Sequence, residues 1–229
     1  MQINTDFSLT ATLKDDQYQW VPSPQAGVER VMLDRIGDEK ARATSIVRYA
    51  TNSEFPTHFH PGGEEILVLS GTFSDQSGDF PKGWYLRNPP GTSHAPSSID
   101  GATIFVKLWQ MQDSNSTTVG IDTQDQSNWT HDKGRAICPL YQDNQETTSL
   151  QRLTDGETLF NCQATQPMCE IFVLSGSVIF NHIEYPKGSW LRLASSEQQI
   201  VKAGKLGATV YIKVGNPHLT DDYQKPFQN

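Results

Sequence analysis

The feature that most constrains this chain is that it repeats itself. EILVLSG at 65–71 returns as EIFVLSG at 170–176, an ungapped offset of 105 residues. The offset persists at Pro81-Lys82-Gly83 over Pro186-Lys187-Gly188 and at Leu86-Arg87 over Leu191-Arg192. GATIFVKL at 101–108 lies over GATVYIKV at 207–214, and TSIVRY at 44–49 over TSLQRL at 148–153, each within one residue of the same offset. Identical turns at a fixed period imply identical hairpins, so the 229 residues read as two copies of one unit. The polar stretch 112–118, QDSNSTT, is the joint, which places one domain at 1–115 and the other at 116–229.

The unit is built of strands. VMLDRI at 31–36, ATSIVRYA at 43–50, EILVLSGTF at 65–73, WYLRN at 84–88 and ATIFVKLWQ at 102–110 are short apolar runs closed by Gly, Asn, Asp, Ser or Pro. Strands at this spacing predict an all-β sandwich or barrel. Residues 1–29 are polar and punctuated by proline, and read as an irregular lead-in without helical period. Side chains alternate along a strand, so Glu64, Ile66 and Val68 share one face while Glu65, Leu67 and Leu69 share the other. Both faces carry aliphatic residues, which predicts cover on both sides, by the unit's interior and by another sheet or subunit. The same pattern points to a homodimer. Glu65 and Glu170 match across the repeat and are expected to be structural.

Chemistry concentrates in FPTHFHPGGEEILVLSG at 55–71. His58 and His60, two apart on an extended segment, project the same way. The Pro61-Gly62-Gly63 turn reverses the chain and brings Glu64 back almost opposite them. Two imidazoles and a carboxylate suit a divalent metal. Cys138, Cys162 and Cys169 form no CxxC pair and read as small buried hydrophobes in a reducing compartment. His131, His182 and His218 stand outside any spacing pattern and are not expected to be ligands.

The net charge of -8, with Lys and Arg scattered, argues against direct nucleic-acid contact. No basic leader precedes an apolar core, and no apolar run reaches the roughly 18 residues that span a bilayer. The expectation is therefore a cytoplasmic protein with no membrane partner.

His58-x-His60-x3-Glu64-x6-Gly71 has the form of the first cupin motif, and Gly83-x5-Pro89-x-Gly91-x2-His94 that of the second. The wording HFHPGGEEILVLSGTF, YLRNPPGTSHAP and IFVKLWQ resembles the cupin domain of the ChrR family of anti-sigma factors and their stand-alone relatives. The resemblance is close over the first copy and loose over the second, so the chain as a whole resembles a two-cupin protein. It implies two antiparallel double-stranded β-helix barrels, with one metal ion held by His58, His60, Glu64 and His94. Such an N3O set takes zinc foremost, with iron, manganese or nickel as alternatives. In the second copy Cys169 stands where Glu64 does, Gln199 where His94 does, and QATQ at 163–166 replaces the histidine pair, so that copy is expected to be a degenerate barrel.

ChrR anti-sigma factors grip their sigma factor through a helical zinc-binding module ahead of the cupin. Residues 1–29 hold no Cys or His, so a sigma-factor partner rests on the resemblance alone. The expected function is a binding or sensing protein for a small molecule or oxidant, with a cupin-type iron dioxygenase as the alternative. Trp84, Tyr85, Phe105 and Trp109 can line a ligand pocket, although strand aromatics more often belong to cores.

Overall fold

The computed structural model describes residues 1–38, 40–162, 168–194 and 199–215, with side chains omitted at 160–162 and 199. Among them the chain is strand and turn, with two single-turn 3-10 segments, Asp15–Gln17 and Gln126–Asn128, and no α-helix. The apolar runs of the first copy fall in the strands Val28–Gly37, Ala41–Tyr49, Glu64–Asp75, Trp84–Asn88 and Ala102–Leu108. Each is ended by the turn residues that flank it in sequence. The fold is all-β, and its sheet ladders are antiparallel, as expected of the two-cupin architecture.

Two compact units are formed. Of the described residues, the first takes Met1–Thr5 and Gln19–Gln124, and the second takes Asp6–Tyr18 together with those from 125 to 215. The stretches 6–18 and 116–124 thus lie with a different unit from the one to which a cut after residue 115 assigns them. In the first unit the sheet runs Gln2–Ile3, Val28–Gly37, Ala41–Tyr49, Ala102–Leu108, Glu64–Asp75, Trp84–Asn88, Val119–Asp122. In the second the order is Thr130–Asp132, Arg135–Gln142, Glu146–Leu153, Gln199–Gly215, Cys169–Phe180, Trp190–Leu193, Ala11–Leu13. The two orders match strand for strand.

Residues 1–29 are not wholly irregular, since they contain Gln2–Ile3, Ala11–Leu13 and Val21–Pro22. These strands are too short to show a period. Ala11–Leu13 is recruited by the edge of Trp190–Leu193, with Ala11 opposite Arg192 and Leu13 opposite Trp190. The Arg192 guanidinium lies 4.1 Å over the Phe7 ring, and the Tyr18 hydroxyl donates to the Gly188 carbonyl.

The repeated glycine of EILVLSG and EIFVLSG has a steric cause. Gly71 and Gly176 have φ of 70° and 67°. A Cβ at Gly71 would stand 1.9 Å from the Gly101 carbonyl oxygen, and one at Gly176 2.0 Å from that of Gly207. The ladder slips two residues before each glycine, at Leu69 and Leu174, as at a β-bulge, and only glycine permits the close approach that follows.

Side-chain parity is as the sequence predicts. Ile66 and Val68 join Phe73, Leu86, Ala102, Ile104 and Val106 in the first unit's core. Glu65 and Leu67, on the other face, are buried too. Glu65 Oε2 lies 3.3 Å from Arg87 Nη1, and its repeat mate Glu170 accepts a 2.7 Å hydrogen bond from Trp190 Nε1. The second unit carries an apolar core of its own, which includes Cys169, Ile171, Val173, Leu191 and Leu193.

Candidate metal centre

Two three-residue strands, His58–His60 and Thr92–His94, form a separate antiparallel ribbon. Its register sets His94 opposite His58, Thr92 opposite His60 and Ser93 opposite Phe59. Period-two alternation then puts the three histidines on one face and Phe59, 72 % exposed, on the other. The tight turn between His60 and Glu64 uses Gly63 at φ 75°, while Gly62 lies so close to Trp109 that a Cβ would meet its Cα at 2.7 Å. Glu64 opens the core strand with its side chain pointing inward beneath the ribbon.

His58, His60, Glu64 and His94 therefore meet, each offering a ligand atom within 4.8 Å of the others. Among the described residues this is the one group of three or more His, Cys, Asp and Glu side chains placed to hold a metal ion. The imidazole centroids are 5.0 Å (58 to 60), 5.0 Å (58 to 94) and 4.5 Å (60 to 94) apart. Glu64 Oε2 lies 3.5 Å from His60 Nε2 and 3.3 Å from His94 Nε2. His60 and His94 are 4 % and 3 % exposed, and His58 is exposed.

The outward nitrogens fix the tautomers. His58 Nδ1 faces the Pro56 carbonyl oxygen at 3.3 Å, which can only accept. His60 Nδ1 is 3.3 Å from Thr92 Oγ1, whose proton goes to the Pro89 carbonyl at 2.7 Å, so the Thr92 oxygen accepts from His60. His94 Nδ1 donates to Asp75 Oδ2 at 3.1 Å. With a proton on each Nδ1, each Nε2 keeps its lone pair. The Nε2 atoms of His60 and His94 are buried without any hydrogen-bond partner, a state that costs free energy unless an electrophile takes the lone pair.

Electrostatics point the same way. Burial, helped by His94 and His58, pushes the His60 imidazole down to about 3. Burial and His58 lower His94 too, against the opposing bond to Asp75. The contacts to Glu64 are thus between neutral imidazoles and a carboxyl, not ion pairs. Burial raises Glu64 to about 7, partly offset by a 3.2 Å hydrogen bond from Asn88 Nδ2 to Oε2. Three neutral nitrogen donors around a desolvated carboxylate fit a divalent cation, whose charge would repay the burial of Glu64.

The four sequence-predicted residues are brought together. Asp75, Asn88 and Thr92, which hold them from behind, escape a reading based on ligand motifs. Tyr85 and Phe105 are buried on the sheet face away from Glu64, and Trp84 packs on Phe80 at a centroid distance of 5.4 Å. His131 and His182 are exposed and apart from the cluster. The segment 163–166 and His218 lie outside the described residues, as do the side chains of Cys162 and Gln199. Cys169 takes the place of Glu64 in register: Glu64 faces Asn88 and Leu108, Cys169 faces Leu193 and Val214. No described helix is long and apolar enough to cross a membrane.

Among solved structures, the chain is similar to a proposed dioxygenase from Nostoc punctiforme, at 13% identity and TM-score 0.72, over 97% of this chain and 88% of that one. The bacterial pirin YhhW from Escherichia coli, solved with nickel(II), matches at 15% identity and TM-score 0.68, over 91% and 100%. Bacillus subtilis oxalate decarboxylase, studied for its Mn(II) centres, matches at 10% identity and TM-score 0.59, over 92% and 78%. At these identities the likeness is one of fold. No curated protein matches the sequence. The sequence of residues 9–112, which carries all four clustered residues, matches the ChrR cupin-like domain.

Proposed function

We propose that the protein is a metal-dependent small-molecule binding protein of regulatory type, with one divalent ion, zinc foremost, held by His58, His60, Glu64 and His94. The observation that carries this reading is the pair of buried, unpartnered Nε2 atoms of His60 and His94 aimed at Glu64. When bound, the ion supplies Lewis-acid polarisation of a ligand oxygen. His60, Glu64 and His94 close the inner side, and exposed His58 marks the side from which a ligand enters. Glu65, the acid group next to the ligand set in sequence, is not placed to move a proton there, because it lies on the opposite face against Arg87. That favours binding over turnover.

A second reading, an iron-dependent dioxygenase, is favoured by the donor set itself. Three nitrogens and one oxygen leave two positions of an octahedral shell for a substrate. Metal analysis of protein purified without added metal, with oxygen uptake over diketones and aromatic ketones, separates the two. Stoichiometric zinc without uptake is expected, whereas iron with turnover overturns the binding reading. His60→Ala is expected to lose the metal and keep the β-sheet circular dichroism. A variant that unfolds at room temperature would show the site to be structural.

A further inference from the structure

Asp75 ends the strand Glu64–Asp75 at the mouth of its hairpin, where Asp-x-Ser reads as an ordinary turn. Its two oxygens have different tasks. Oδ1 accepts from the Ser77 backbone N–H at 2.7 Å and from the Ser77 hydroxyl, which locks the side chain in the turn. Oδ2 accepts from His94 Nδ1 at 3.1 Å, and the side chain is 7 % exposed. Gln76 grips the same strand on either side of His94. Its Nε2 donates to the Ser93 carbonyl at 3.2 Å, and its Oε1 accepts from the Ala95 N–H at 3.0 Å. Two consecutive hairpin residues thus bond three consecutive residues of the ligand segment.

The second copy is the internal control. It keeps the core strand, the Pro-Lys-Gly turn and the Leu-Arg pair at the common offset, yet Phe180 stands at the position of Asp75 and Leu193 at that of Asn88. Both replacements are buried in that unit's apolar core beside Cys169, which stands for Glu64. The scaffold therefore tolerates, and packs well with, apolar groups at these positions. A buried carboxylate at the hairpin mouth costs desolvation that a phenylalanine does not. It goes together with His94.

We propose that Asp75 is a positioning residue of the metal centre, fixing the tautomer and ring orientation of His94 through Nδ1, and that the Asp75-Gln76 pair is the clamp holding the segment 93–95 at the site. The proposal rests on the reading of the cluster as a metal centre. A carboxylate behind a ligand imidazole raises the basicity of its other nitrogen and pre-sets its aim, and losing such a partner lowers metal affinity about 10–100-fold.

The test uses the full chain stripped of metal, with Zn(II) affinity from competition with a chromophoric chelator and the visible spectrum of the Co(II)-loaded protein. Asp75→Leu is expected to lower Zn(II) affinity about 10–100-fold and to change the Co(II) bands. Asp75→Asn keeps an acceptor oxygen for Nδ1–H and should fall in between. Asp79→Asn, exposed on the same hairpin, removes the same charge and should match wild type. If Asp75→Leu fails to fold, Asp75→Asn against Asp79→Asn decides. Asp75 variants with wild-type affinity and spectrum overturn the clamp. Wild-type protein that binds neither Zn(II) nor Co(II) overturns the metal reading itself.

Discussion

Glu64 and His60 face each other with opposite displacements from their ordinary values, and metal-free protein should show both. His60 stays neutral down to about 3, while the unfolded chain takes up its proton near 6.5. Its share of stability is present above pH 6.5 and is lost as the pH falls toward 3. Glu64 titrates near 7 in the fold against 4.5 unfolded, so the folded protein gains a proton first on acidification. Its share is fully present below pH 4.5 and is lost as the pH rises through 7. Between pH 7 and 4.5 the two effects oppose each other. Glu64→Gln, which still accepts from Asn88, removes only the second. The metal-free variant should therefore lose more thermal stability than metal-free wild type when taken from pH 7 to 5, and parallel Tm curves would count against the assignment. At this scale the four clustered residues are legible because each lies in a short motif or at period-two spacing. Asp75, Asn88 and Thr92 are not, because their partners lie 19, 24 and 32 residues away across strand pairings. The one signal that reaches two of them is the change from Asp75 to Phe180 and from Asn88 to Leu193 between the copies.

The hairpin from 64 to 81 does two jobs, and Gly71 separates them. Before it, Glu64, Ile66 and Val68 face the core, while beyond it the strand carries Phe73 and ends on Asp75 behind His94. The backbone at Gly71, just past the ladder's slip at Leu69, requires both positive φ and the absence of a Cβ, so Gly71→Ala combines left-handed strain with a 1.9 Å clash against backbone. A loss of about 2–4 kcal/mol follows from strain of this class with forced backbone movement. Gly134→Ala is the comparison: φ is 88° there, but nothing lies within 4 Å of the added Cβ, so only the left-handed cost of about 1 kcal/mol remains. Urea unfolding of Gly71→Ala, Gly176→Ala and Gly134→Ala reads the difference, and equal losses in all three would show that the close approach is not what fixes the glycines. The long strands of both copies are visible in sequence because apolar alternation runs for five residues or more between turn residues. Gln2–Ile3 and Ala11–Leu13 show no such run, since pairing to the edges of Val28–Gly37 and Trp190–Leu193 makes them strands.

At the scale of the whole chain, duplication gives two units with matching strand order and only one group of residues fit for a metal among those described. In the second unit Cys169 is 1 % exposed between Leu193 and Val214, with Phe180 in the same core. Burial of a thiol in an apolar core disfavours the thiolate that a metal needs. Cys138 is likewise buried, and burial pushes its thiol up to about 11. The chain should bind one equivalent of divalent metal, and His60→Ala should abolish that equivalent rather than half of a pair. Cys169→Ser should leave both stoichiometry and affinity unchanged, because the residue has no counterpart to the His58, His60 and His94 set among the described neighbours. Titration of chelator-treated protein with Zn(II), read by mass spectrometry under native conditions, checks all three. A second equivalent that survives in His60→Ala and disappears in Cys169→Ser would assign a metal to the second unit and refute the division of labour between the copies.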